Sequence, residues 1–185
     1  MKGNLFHLHG GNIDTYRRMI HHIDEGIGRL MELLRAEGLE RYTLVVFTSD
    51  NGGERFSDNW PLVGGKMDLT EGGIRVPWIA HWPAVIAPGS TSTQTCMTMD
   101  WSATMLDAAG APAAASHPLD GRSLMPLLHD ATWHDDQPMF WRMNHRGQRA
   151  MRHGPLEIPA RGRARLPLQP GRRRTRTRQP GPYCP

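Results

Sequence analysis

The sequence predicts an α/β fold, from three neighbouring observations. A helical pattern runs from Asp14 to Glu37, an unbroken apolar run follows at Tyr42–Phe47, and a polar, glycine-rich loop opens directly after it. In the helix, Ile13, Ile20, Ile23, Ile27, Leu30 and Leu34 recur at spacings of three, four and seven, which gathers them on one face. Asp14 or Thr15 can cap its start, and Gly38 suits the C′ position after its end. Tyr42-Thr43-Leu44-Val45-Val46-Phe47 reads as a strand covered on both faces, because its apolar residues do not alternate. A helix feeding such a strand suggests a mixed or parallel sheet flanked by helices. The loop Ser49–Gly53 lies at the carboxyl end of that strand, where ligands collect in open α/β sheets.

Residues 54–73 read as irregular, glycine-rich loop. Ile74–Trp82 gives a second strand, broken at Pro77 and stopped by Pro83. Asp100–Ala109 is a short helix with Asp100 as N-cap and Gly110 closing it. Arg122–Leu128 reads as a helical turn, and Pro138–Met143 and Gln148–Arg152 as two strands around His145-Arg146-Gly147. The chain therefore divides into an α/β part at 1–137, the opening strands of a small antiparallel subdomain at 138–154, and a tail at 155–185.

Charge follows the same division. The formal net charge is +4, yet acidic residues outnumber basic ones before Arg152. From Arg152 onward a single acid, Glu157, stands against a run of arginines, so the basicity belongs to the tail. With its prolines and arginines and no periodicity, residues 155–185 are expected to be disordered. No apolar run approaches the roughly 20 residues that a membrane span needs, so no membrane partner is expected. Met1–Phe6 does not read as a signal peptide. Cys96 and Cys184 have neither metal nor redox spacing and imply no disulfide framework.

Two places can carry chemistry. Asp50 and Asn51 offer a carboxylate and an amide carbonyl side by side, hard oxygen donors suited to Ca²⁺ or Mg²⁺. The same residues, followed by Gly52-Gly53, also suit a tight turn, and local sequence leaves both readings open. Lys66, one of two lysines in the chain, sits in a glycine-rich loop where its ammonium can meet an anionic oxygen. A surface lysine is the plainer alternative. A Walker-type phosphate loop is excluded, because Met67 follows Gly64-Gly65-Lys66 where Ser or Thr is required.

Taken in order, T-S-D-N-G-G at 48–53, G-K at 65–66 and E-G-G-I-R-V-P at 71–77 resemble the second half of an arylsulfatase-type sulfatase active site. The likeness continues through Asp100-Trp101, Asp120-Gly121-Arg122-Ser123-Leu124 and Phe140-Trp141, spanning about residues 12–154. The resemblance implies an alkaline-phosphatase-like sandwich with a smaller C-terminal subdomain, and hydrolysis of a sulfuric ester of a small molecule or glycan. It implies that Asp50 and Asn51 are the late calcium ligands and that Lys66 holds the sulfate. Glu71, Gly72, Gly73 and Arg75 are expected to shape the loop and strand.

The resemblance has a gap. The family's nucleophile is a formylglycine made in a C-x-P-S-R motif, and that motif does not occur in these 185 residues. Neither Cys96 nor Cys184 has its context, so no catalytic residue is assigned and the chain is expected to be inactive alone. His7 and His9 precede the helix without the expected neighbours and receive no role. His21 and His22 read as helix-surface residues, and His81 as a packing residue at a strand end. The tail is read as translated out of frame: under one choice of codons, a one-base shift turns Leu156–Arg161 into W-K-Y-L-R, and continuing it through Leu166–Pro182 permits an ordinary mixed-charge sequence resembling a sulfatase ending. On that reading nucleic acid is not expected as a partner, against the alternative of an arginine-rich arm on phosphates. A phosphonate or phosphodiester hydrolase of the same superfold, and a non-catalytic anion- and metal-binding module, remain the alternative functions.

Overall fold

The computed structural model describes residues 11–112 and 114–154, together with the backbone of a strand at Leu156–Arg161. His7, His9 and residues 162–185 lie outside the described residues.

The first element, α1, spans Ile13–Ala36. Its N-cap is Asn12, whose side-chain oxygen accepts from the Thr15 amide at 2.8 Å, so neither Asp14 nor Thr15 performs that task. Gly38 follows in the left-handed region at φ 69°, as a helix-ending glycine should. No residue of α1 is buried. Ile20 and Ile23 are each 51% exposed, so the apolar face gathered by the sequence spacing lies open.

A 3-10 turn at Glu40–Tyr42 delays the first strand, β1, to Val45–Thr48. After the short helix α2 (Glu71–Ile74) comes β2 (Trp78–His81), which pairs with β1 antiparallel, Val46 opposite Ala80 and Phe47 opposite Ile79. This antiparallel pairing is the one described for β1, and the parallel neighbour suggested by helix-then-strand order is not among the described residues. A parallel neighbour needs a strand–helix–strand crossover, and among the described residues no strand precedes α1.

Burial on both faces of β1 is corrected. One face is covered: Leu44, Val46, Trp78 and Ala80 pack on a core of Trp101, Leu124 and Leu127, where Trp78 stacks on Trp101 with centroids 5.1 Å apart. On the other, Phe47 and Ile79 are 41% and 59% exposed. No described layer sits over them.

The core is supplied by α3 (Asp100–Ala108) and α4 (Met125–His129). Asp100 is the first residue of α3 and not its cap. Its buried carboxylate instead accepts from the Met97 amide at 2.7 Å and the Arg122 amide at 3.1 Å, tying the helix to the approach to α4. Thr104 completes the tie, donating to the Asp100 carbonyl and accepting from the Leu124 amide.

The last three strands, β3 (Met139–Met143), β4 (Gln148–His153) and β5 (Leu156–Arg161), form one antiparallel sheet in that order. The expectation that order ends at residue 154 is corrected for residues 156–161. Leu156–Arg161 pairs along the whole length of β4, and the free edge of a hairpin strand offers that ladder of hydrogen bonds to any extended segment.

Candidate functional site

The loop after β1, the loop after Val63 and the start of α2 are held together by glycine. The Gly52 amide donates to the Gly73 carbonyl at 2.8 Å, the Gly72 amide to the Val63 carbonyl at 2.8 Å, and the Lys66 amide to the Gly53 carbonyl at 3.0 Å. A Cβ on Gly52 would overlap the Gly72 carbonyl oxygen, and one on Gly73 would overlap that of Asp68. Three backbone segments thus meet at distances only glycine permits. Asn59 pins the same junction, its amide nitrogen donating to the carbonyls of Gly53 (3.1 Å) and Gly64 (3.0 Å).

This scaffold brings the three sequence-predicted site residues to one place. Asp50, Asn51 and Lys66 all line a single open cavity of about 840 Å³. Trp78 and Trp101 line it, as do Trp141 and Arg152 of the second sheet. Asp50 is exposed and Asn51 half-buried, with the Asn51 amide nitrogen donating to the Gly52 carbonyl at 3.0 Å. Lys66 extends its ammonium to within 3.7 Å of the Glu54 carboxylate, both side chains about half exposed. Such a pair contributes little in solvent, so an incoming anion can compete for the ammonium.

Asp50 and Asn51 have the donor chemistry of a hard cation site, but calcium takes about six to eight oxygens. Among the described residues no group of three or more His, Cys, Asp or Glu could hold a metal ion. The residues present therefore do not by themselves make a calcium site.

Other cavity residues have structural tasks. Glu71 carries two arginines, with Arg152 Nη1 at 3.0 Å and Arg75 Nη1 at 3.5 Å, and so joins α2 to β4. Cys96 also lines the cavity. Burial, reinforced by the Asp100 carboxylate and only partly offset by Arg122, pushes its thiol up to about 11. Near neutral pH it stays protonated and is not poised as a nucleophile. His21 and His22 lie on the exposed side of α1 beside Glu25, and His81 Nε2 sits 3.2 Å from Glu40. None of the three reaches the cavity.

Comparison with known proteins decides the lineage. The Sulfatase family model matches residues 6–111, more than half of the chain. The chain belongs to the sulfatase family. Among similar relatives, steryl-sulfatase of Mus musculus is 40% identical over 131 residues, covering 65% of this sulfatase chain and 20% of the relative. N-acetylgalactosamine-6-sulfatase of Mus musculus is 35% identical over 135 residues, covering 70% and 26%. Among solved structures, Ps i-CgsB in complex with k-i-k-neocarrahexaose superposes with a TM-score of 0.72 at 32% identity, over 79% of this chain and 34% of that one. The PsFucS1 sulfatase from Pseudoalteromonas sp. gives 0.62 at 30%, over 71% and 28%. The sulfatase chain thus spans about a fifth to a third of these proteins. The α/β architecture with small antiparallel sheets is that of a sulfatase, over the matched part.

Sequence reasoning passed over two residues that build the site, Asn59 and Gln148. Asn59 stood in a stretch read as irregular, glycine-rich loop. Gln148 read as the first residue of a strand, and its buried amide is visible only once the second sheet is placed.

Proposed function

We propose that this chain carries the sulfate-holding side of a sulfatase active site, acting on a sulfuric ester of a small molecule or glycan. Lys66 meets the sulfate oxygens, and Asp50 and Asn51 contribute two of the oxygens around a divalent cation, calcium by family likeness. The observation that supports this most is the shared cavity: three residues from two separate loops open on one space. The ammonium neutralises part of the ester's negative charge as a compact point charge, and the glycine junction fixes where it stands. No described residue stands in the family's nucleophile motif. The formylglycine motif is missing from the sequence and the Cys96 thiol is held protonated. The chain alone is therefore read as binding without turnover.

The test is a titration of the full 185-residue chain with inorganic sulfate, with and without calcium, followed by calorimetry or NMR. Lys66→Gln is expected to weaken sulfate binding about tenfold to a hundredfold, the worth of one hydrogen bond to a charged group. Asp50→Asn is expected to reduce any calcium dependence and leave the sulfate affinity measured without calcium in place. Equal sulfate affinity in the Lys66 variant would sink the assignment. Robust turnover of an aryl sulfate by this chain would sink the reading of it as non-catalytic.

A further inference from the structure

The lysine loop is gripped from the second sheet by one buried amide. Gln148, at the start of β4, is 2% exposed. Its Oε1 accepts from the Leu69 amide at 3.0 Å and its Nε2 donates to the Met67 carbonyl at 2.8 Å, across about 80 residues of sequence. The two bonds bracket the residues that immediately follow Lys66. Between them the backbone is unusual: Met67 has φ 73°, in the left-handed region that a non-glycine residue adopts at a cost. Such a conformation persists only when its surroundings over-determine it. Next to Gln148, Arg146 brings Nη1 to 3.6 Å from Asp68 Oδ1, adding an outer contact to the same three-residue segment.

From this geometry we infer that Gln148 is a positioning residue for Lys66, acting through the Met67–Leu69 backbone. The inference rests on the reading that Lys66 holds the anion. The amide is suited to the task in a way no other side chain of its size is. It presents an acceptor to an N–H and a donor to a carbonyl at once, and carries no charge into a buried site. The consequence is a mechanical link: the second sheet, through the turn between β3 and β4, sets the direction in which the ammonium leaves its loop. Lys66 is bonded on its other side to the Gly53 carbonyl. Its backbone is thereby fixed between the β1 loop and the β3–β4 hairpin.

The experiment compares Gln148→Leu and Gln148→Glu with the parent chain. In Gln148→Leu, amide hydrogen exchange at Leu69 and Lys66 is expected to speed up about tenfold, while amides of β1 and α3 stay as they were. Sulfate affinity is expected to fall severalfold with no change in the thermal midpoint of the α3–α4 core. Gln148→Glu supplies the signature that a merely space-filling role would lack. Its ionised carboxylate can accept from Leu69 but repels the Met67 carbonyl, whereas the protonated acid can accept and donate. Loop protection and sulfate affinity in this variant are therefore expected to recover as pH falls through the titration of that carboxyl, with Gln148→Leu showing no such recovery. Unchanged exchange at Leu69 and Lys66, exchange rising equally in β1 and α3, or a pH-independent Glu variant would each overturn the inference. Absence of sulfate binding in the unsubstituted chain would remove the role given to Lys66 and not the clamp, which hydrogen exchange reads with no anion present.

Discussion

Gly52→Ala is expected to destabilise the chain by about 1–3 kcal/mol or more, because the added methyl must displace backbone and not a flexible side chain. The atom in its way is the Gly72 carbonyl oxygen, and the Gly52 amide is itself bonded to Gly73. Relieving the overlap separates the β1 loop from α2, so the bond from Gly52 to Gly73 is lost with it. The effect should therefore exceed that of the volume alone. A control lies in the same chain. Gly26 and Gly28 stand in α1, where an added methyl group would meet nothing within 4 Å, and neither has a positive φ. Alanine at either position is expected to stabilise by roughly 0.5–1 kcal/mol, the difference in helix preference. Urea denaturation of the three variants checks both signs. A Gly52→Ala chain as stable as the parent would show that the three loops do not meet as described.

The second large effect concerns α1. Replacing Ile20 and Ile23 together by glutamate is expected to leave the unfolding free energy within about 0.5 kcal/mol per site, since neither side chain is buried. It is expected to change association strongly. Ile13, Met19, Ile20, Ile23, Leu30 and Leu33 are each at least 39% exposed along one helix, and an apolar surface of that length on a free chain promotes aggregation. Sedimentation velocity should show the parent chain self-associating at concentrations where the double variant is monomeric. A parent that stays monomeric throughout, or a double variant that unfolds, would contradict this account.

The same helix shows how much could be read in advance. The extent of α1 and its apolar stripe were legible because spacing and a terminal glycine are local signals, and the strands at β3 and β4 were legible for a similar reason. What the stripe packs against was not, since burial depends on a partner layer that spacing does not name. The cap went to Asn12 and not to Asp14 or Thr15 because all three residues can cap and only the backbone geometry chooses. At the site, Asp50, Asn51 and Lys66 could be picked out by residue type and order. Their convergence could be expected only from the family resemblance, because it depends on contacts between glycines that carry no chemistry. Gln148 was hidden further, since it acts across about 80 residues on a backbone with no motif of its own.

The paired indoles give the cleft an optical label of its own. Trp78 and Trp101 both border the open space and lie nearly parallel, 19° between ring planes. Stacked chromophores at this separation couple electronically, so their circular dichroism depends on their mutual tilt. A molecule entering the cleft would disturb that tilt, and its arrival could be followed spectroscopically without attaching a dye.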